Sequence, residues 1–507
     1  MQGITYWIKQ RAYLTPNRIA IIAEEQQVTY QEMYVKITRM ARFLQNDLSV
    51  QKGDRIGILS QNSMEFVLLL FAIAKLGAIA VPFNIRLTPA ELSYQFQDSG
   101  IRILFTQREF ELSITASKVM DVVEHLNWLD ENHLAWSSYE PQADAVIDEN
   151  EWRYVGTGED RYIICYTSGT TGKPKGAVLT QENMFWNACN NITAIDITSY
   201  DRVIVLLPLF HIGGIGLFAF PTFFAGGTVV IPGKFHPDKA LQLIEEHQVT
   251  VVMGVPAIHD AIRKSPLFHT SDLSSVRWFY NGGAPCPHEL IIQYHQLGLP
   301  FGQGFGLTET SPTVCMLTKE DAHRKVGSIG KPALFCEIRL VNNEGEDVIQ
   351  GEIGELLVKG PHVMKEYWNL PDETNKAIRD GWFYTGDLAK QDEEGFVYIA
   401  GRRKEMIISG GENIYPLELE QTIGDLEGVE EVAVIGVPDE KWGEVAKAFI
   451  VPKKDALLTR EQVQAYCEER LARYKIPKYF VFLSELPRNA TGKIVKQSLA
   501  KMETTTL

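Results

Sequence analysis

The chain has 507 residues, 45% of them apolar and 22% charged, with a formal net charge of −15. That length calls for about three folded units, and the acidity argues against general nucleic-acid binding while making any anion site depend on a local cationic pocket. Six cysteines are scattered without a C-x-x-C pair, which disfavours a structural zinc site or a disulfide scaffold and fits a reducing, cytoplasmic setting.

The first residues (Met1, Gln2, Gly3, Ile4) show no basic region followed by an apolar core, so no signal peptide is expected. Residues 55–60 read as a strand, 65–70 as part of a helix and 78–82 as the next strand. The rhythm recurs at 203–207, 228–231, 249–253 and 276–280, and strands alternating with helices imply parallel sheets of the α/β kind.

Between them lies the most informative stretch. Residues 166–176 hold four Ser/Thr hydroxyls, three glycines and two lysines directly after the apolar run 162–165. Glycines let backbone N–H groups turn inward, and hydroxyls and lysines add donors and charge, so the loop reads as a phosphate grip. It is not a Walker A loop, whose spacing is G-x-x-x-x-G-K-[ST]; here Gly169 and Gly172 are too close and Pro174 follows Lys173.

From Val203 to Gly233 there is no Asp, Glu, Lys or Arg. The length would span a bilayer, but Pro208, Pro221 and Pro232 and two Gly-Gly pairs break it into strand, loop, short helix and strand, which reads as a buried apolar wall. Near 337–341 and 355–359 the segments shorten into a small β-rich unit, and a boundary falls at 401/402. Between Arg470 and Lys496 there are seven basic residues against Glu485 alone, a solvated face or a surface that meets phosphates.

The loop and five later segments, in order, resemble the adenylate-forming superfamily of acyl-CoA synthetases, firefly luciferase and peptide-synthetase adenylation domains, most of all the bacterial fatty-acid–CoA ligases. The segments are Asn281-Gly282-Gly283-Ala284-Pro285, Phe305-Gly306-Leu307-Thr308-Glu309, Tyr384-Thr385-Gly386-Asp387-Leu388, Gly401-Arg402-Arg403-Lys404-Glu405, and Pro487-Arg488-Asn489-Ala490-Thr491-Gly492-Lys493. The resemblance implies an α/β fold. Residues 1–401 would form a large N-terminal domain of two stacked α/β sheets plus a small β-barrel-like subdomain, and 402–507 a small mobile α+β C-terminal domain.

It also implies a reaction in two halves, with ATP, CoA and Mg²⁺: carboxylate and ATP give an acyl-adenylate and pyrophosphate, and CoA then takes the acyl group. Thr167, Ser168, Gly169, Thr170, Thr171, Gly172 and Lys175 would hold the β- and γ-phosphates. Thr308 would bond the α-phosphate and Glu309 help hold Mg²⁺, which prefers oxygen ligands. Asp387 would accept from the ribose hydroxyls with Arg402 in support. Phe305 would stack on adenine where the family usually has tyrosine, beside Gly306, Gly282, Gly283 and Ala284. Lys493 would bridge carboxylate and α-phosphate, and His211 would gate the thiol's approach. A rotation about Lys404 would then bring Ser409, Gly410 and Gly411 in as the pantetheine tunnel, with Arg86, Trp442 and Tyr474 at the CoA nucleotide.

For the acid, the uncharged run 203–233 favours an apolar chain, with Leu217, Phe218, Phe220, Phe223 and Phe224 as wall and no cation for a second carboxylate. Medium- or long-chain fatty acids are the favoured substrate. Aryl acids or o-succinylbenzoate, and loading of a carrier protein in place of CoA, are the alternatives. An ATP-binding regulator is disfavoured by the intact Lys493. Peripheral membrane contact and a homodimer are both compatible with this reading.

Overall fold

The computed structural model describes residues 1–130, 154–167, 173–410, 412–488 and 493–502. Among them, nine strands form one sheet in the order Lys331–Pro332, Thr313–Met316, Phe301–Gly306, Trp278–Asn281, Val251–Gly254, Arg202–Val205, Thr228–Ile231, Ile19–Ala23, Gln26–Thr29. Seven form a second: Glu366–Tyr367, Lys175–Thr180, Arg161–Thr167, Ile79–Pro82, Arg55–Leu59, Ile103–Thr106, His125–Trp128. Their centres pair in parallel, as the strand–helix alternation predicts.

The largest core joins the two sheets. Ile21, Val205 and Val229 from one and Ile56, Ala80 and Ile163 from the other share it with the helices Tyr30–Asn46 and Met64–Lys75. The second helix starts at Ser63, whose hydroxyl accepts from the Phe66 N–H, and runs through eleven buried residues, Met64 and Phe66 to Lys75. A helix apolar on every side has to be sandwiched, and this one sits between layers.

The remaining units are smaller. Glu337–Val341, Gly354–Lys359, Trp382–Gln391, Ile378–Arg379 and Val397–Arg402 make a five-stranded, antiparallel sheet with its own core around Val314, Leu356 and Val358. A further five-stranded sheet, centred on Val429–Asp439 and Gly443–Pro452, packs against the helices Pro416–Gly424 and Arg460–Glu468 through Ile407, Leu419, Val434 and Val463. The large N-terminal α/β unit with two sheets, the small β unit and the small C-terminal α+β unit therefore match the expected fold.

The uncharged stretch differs from expectation in one detail. The strands Arg202–Val205 and Thr228–Ile231 flank a π-helix, Gly213–Ala219, continuing as the helix Phe220–Ala225. Close approach explains the glycines: a Cβ on Gly214 would lie 2.2 Å from the Pro208 carbonyl oxygen, and one on Gly216 would lie 2.6 Å from that of Ser311. Asn187 fixes this contact by donating to the Gly216 carbonyl (2.6 Å) while its Oδ1 accepts from the Thr313 N–H (3.1 Å).

Candidate active site

The strands Arg161–Thr167 and Lys175–Thr180 pair antiparallel in the second sheet, with Thr167 opposite Lys175. Ser168, Gly169, Thr170, Thr171 and Gly172 lie outside the described residues. Lys175 is held at 2.5 Å from Glu373 and sits 5.0 Å from the centre of the Tyr367 ring.

Thr308 and Glu309 occupy a short 3₁₀ turn, Thr308–Thr310, at the end of the strand Phe301–Gly306. The turn is rigid because the Thr310 hydroxyl accepts from the Leu307 N–H and donates to the Pro312 carbonyl at 2.9 Å each. Gly306 leaves room for this: a Cβ there would collide with the Pro312 carbonyl oxygen, 1.4 Å away. Glu309 is buried, and its Oε1 accepts from the Tyr367 hydroxyl at 2.8 Å. Burial, first, and the Glu309 charge push the Tyr367 hydroxyl pKa up, so it stays a donor.

Asp387 and Arg402 face each other across two strands of the small sheet, and Arg402 Nε meets Asp387 Oδ1 at 2.7 Å. Asp387 is 3% exposed, and its Oδ2 has no hydrogen-bond partner among the described residues. Burial raises its pKa to about 6; Glu309 adds to the rise, and Arg402 and Lys493 oppose it. A buried acceptor without a donor is costly in an empty fold and suits a hydroxyl-bearing ligand.

Lys493 joins this group from the far end of the chain. Although its outline is exposed, dense surroundings and the Arg402 guanidinium lower its pKa, while Glu309 and Asp387 raise it. His211 feels the same ammonium: burial first, then Lys493, brings its pKa down to about 4. Its Nδ1 accepts from the Gly213 N–H at 3.3 Å, so at neutral pH the ring is uncharged with a proton on Nε2.

Gly282, at φ within the ordinary range, and Gly283, at φ +87°, follow the strand Trp278–Asn281, where Asn281 Nδ2 donates to the Ala284 carbonyl at 3.0 Å. A Cβ on Gly282 would lie 2.7 Å from the Met253 methyl and 3.4 Å from Leu217, so the backbone here passes close to apolar side chains. Nearby, Leu206, Leu207, Gly213, Gly214, Phe218 and Met253 enclose a small apolar void of about 10 Å³. Phe305 is half-buried on the strand before Gly306, packed against the core of the small sheet.

Three of the proposed wall residues belong elsewhere. Phe220 and Phe223 pack on Phe71, at 4.8 and 5.8 Å between ring centres, and Phe224 packs edge-on against Trp7 at 5.0 Å. The helix Phe220–Ala225 turns them toward the inter-layer core, leaving Leu217 and Phe218 in the separate cluster with Met253 and Tyr280.

Lys404 is exposed in the 3₁₀ turn Arg403–Glu405, whose neighbour Arg403 reaches Glu355 of the small sheet at 2.5 Å. Ser409 is buried opposite Gly443; Gly410, at φ +59°, donates its N–H to the Trp442 carbonyl, and a Cβ there would lie 2.7 Å from the indole. Gly411 lies outside the described residues. Trp442 and Tyr474 are half-exposed on separate segments of the C-terminal unit, and Arg86 is exposed on the N-terminal one.

Tyr367, Glu373 and Met253 escaped the sequence reading. Their roles depend on contacts with Glu309, Lys175 and Gly282, 58, 198 and 29 residues away, and no local spacing announces such pairs. Among the described residues no group of three or more His, Cys, Asp or Glu side chains gathers to hold a metal. Glu309, a buried carboxylate, fits Mg²⁺ that takes its remaining ligands from phosphate oxygens and water.

Comparisons with known proteins agree with this geometry. Residues 8–368 match the family described as AMP-binding enzyme, and 418–493 match the AMP-binding enzyme C-terminal domain. The chain is 39% identical over 498 residues to a feruloyl-CoA synthase of Amycolatopsis sp, covering 98% of each chain. It is 38% identical over 517 residues to the long-chain-fatty-acid–CoA ligase FadD13 of Mycobacterium tuberculosis, covering 100% of each. The o-succinylbenzoate CoA synthetase of Bacillus subtilis, solved with its acyl-adenylate intermediate, superposes with a TM-score of 0.87 at 36% identity, covering 99% of this chain and 98% of that one. The same synthetase has been solved with ATP and a magnesium ion. The chain belongs to the AMP-binding enzyme family and is an AMP-forming acid–CoA ligase that uses ATP, CoA and Mg²⁺.

Proposed function

We propose that the enzyme activates an apolar monocarboxylic acid, a medium- or long-chain fatty acid first, with residues 1–401 binding ATP and acid and 402–507 carrying Lys493 and the CoA tunnel. The observation that carries the acid class is the uncharged stretch 203–233, whose Leu217 packs with Met253 beside Gly282. A second carboxylate or an ammonium there would be desolvated without a partner. An aryl acid is the second reading, favoured by the T-shaped Phe218–Tyr280 pair at 5.6 Å and by the feruloyl-CoA synthase relative.

In this reading Asp387 Oδ2 takes the ribose hydroxyls, Thr308 bonds the α-phosphate, and Thr167, Lys175 and the loop between them hold the outer phosphates. Phe305 and Gly306 flank adenine along with Gly282, Gly283 and Ala284. Lys493 neutralises the crowding negative charge as carboxylate approaches phosphorus. Magnesium held at Glu309 would screen the phosphates. Its depressed pKa leaves His211 uncharged, so it shapes the path of the thiol and does not trade protons with it. Rotation about Lys404 then substitutes Ser409, Gly410 and Gly411 for Lys493, with Arg86, Trp442 and Tyr474 on the CoA nucleotide.

An AMP-release assay with ATP, CoA and acids from acetate to oleate, plus ferulate, benzoate and o-succinylbenzoate, tests this. The highest kcat/KM should fall on an alkanoic acid of medium or greater length. A maximum on ferulate or benzoate supports the aryl reading, and one on o-succinylbenzoate rejects the uncharged wall.

A further inference from the structure

Lys175, the cation assigned above to the outer phosphates, is already engaged. Its Nζ lies 2.5 Å from Glu373 Oε2, while Glu373 Oε1 accepts from Lys376 Nζ at 2.8 Å. The inner partner is enclosed and the outer one open: the Lys175 side chain is 13% exposed, that of Lys376 71%. Glu373 is held in place by its segment. Trp368 N–H donates to the Gly176 carbonyl at 2.7 Å, and the Thr374 hydroxyl accepts from the Tyr367 N–H at 2.9 Å, so the helix Pro371–Ala377 is tied to the strand that begins at Lys175. Hydrogen bonding to Lys175, then to Lys376, holds the Glu373 carboxyl down at about 2, so it is an anion throughout the working range of pH.

We propose that Glu373 is a resident counter-anion for Lys175 that competes with the nucleotide's outer phosphates, and so sets ATP affinity and the ease of pyrophosphate release. The proposal rests on reading Lys175 as the phosphate-side cation. A phosphate drawn to Lys175 meets the Glu373 carboxylate beside it, and like charges at such range repel. Lys376 lets the exchange proceed, because it keeps Glu373 paired from the solvent side when Lys175 turns to phosphate. Once the acyl-adenylate has formed, Glu373 reclaims Lys175 and pyrophosphate loses its cation. The enzyme thereby trades some affinity for ATP against product release.

Calorimetric titration of ATP and of pyrophosphate, each with Mg²⁺, into wild type, Glu373→Gln, Lys175→Met and the double variant tests the proposal. Glu373→Gln should tighten both ligands about two- to fivefold, the range expected of a partly exposed ion pair. It should also make pyrophosphate a stronger inhibitor of AMP release. Lys175→Met should weaken both ligands, and adding Glu373→Gln to it should change nothing further. Glu373→Asp, which keeps the charge, should bind like wild type and guards against a folding artefact. Unchanged or weaker binding by Glu373→Gln overturns the proposal, and so does tightening that persists without Lys175. Wild-type affinity in Lys175→Met would instead remove Lys175 from the phosphate site, and the proposal with it.

Discussion

The Tyr367 hydroxyl donates a 2.8 Å hydrogen bond to Oε1 of Glu309, joining a strand of the second sheet to the turn that ends a strand of the first. It leaves the other carboxylate oxygen as the one to face a metal, so Tyr367 positions the proposed magnesium ligand. A hydrogen bond to a charged acceptor contributes roughly 1.5–3 kcal/mol. Tyr367→Phe should therefore raise the Mg²⁺ concentration for half-maximal pyrophosphate exchange about tenfold, with much less effect on KM for the acid. Equal losses across Mg²⁺, ATP and acid would point to a general packing defect.

Asp387 should trade stability for binding. Its folded pKa of about 6 lies above the ordinary carboxylate value, because burial disfavours the charge. The stability it contributes is therefore full at low pH and is lost as pH rises through about 6. Asp387→Asn should be more stable than wild type at pH 7.5, by on the order of 1–3 kcal/mol, because the rise to about 6 persists despite the opposing Arg402 charge. The same variant should lose at least tenfold in ATP affinity as an acceptor for ribose hydroxyls disappears. In wild type, ATP affinity should decline as the pH drops below about 6, measured by titration at constant ionic strength.

Lys493→Ala should abolish acid-dependent pyrophosphate exchange and largely spare thioester formation from supplied acyl-adenylate. Equal loss of both steps rejects two working orientations of the C-terminal unit. Because its charge also depresses His211, the variant should let the His211 pKa rise from about 4 toward its ordinary value, read by NMR titration of the imidazole.

Gly410→Ala tests the tunnel. The residue sits at φ +59°, and the added Cβ would press on the Trp442 ring at 2.7 Å. The strain is confined to the C-terminal unit, so the CoA step should slow by an order of magnitude or more while pyrophosphate exchange stays near wild type. A comparable fall in exchange would place Gly410 outside the second half-reaction.

Much of this protein is legible along the chain, where the governing contacts are local. Alternation of strand and helix over residues 55–82 and 203–281 follows from hydrophobic period and short turns, and the structure returns those elements within a few residues. The segments holding Thr308, Asp387 and Lys493 are recognisable because each packs its chemistry into a few adjacent residues.

The wall of the acid pocket shows where that reading stops. Five large apolar residues between Leu217 and Phe224 look equivalent in sequence, yet Phe220, Phe223 and Phe224 face Phe71 and Trp7 in the inter-layer core. Helical rotation decides which side chain meets which layer, and the π-helical turn at Gly213–Ala219 shifts that rotation in a way no periodicity shows.

The sequence by itself therefore determined the fold class and the reaction, since both rest on patterns within short windows. Only the tertiary structure decided the partners: Tyr367 on Glu309, Glu373 on Lys175, and Lys493 beside His211 and Asp387. These pairs are remote in the chain. Charge and hydrogen bonding act through space, so their energies exist only once the two sheets and the C-terminal unit have brought the groups within reach.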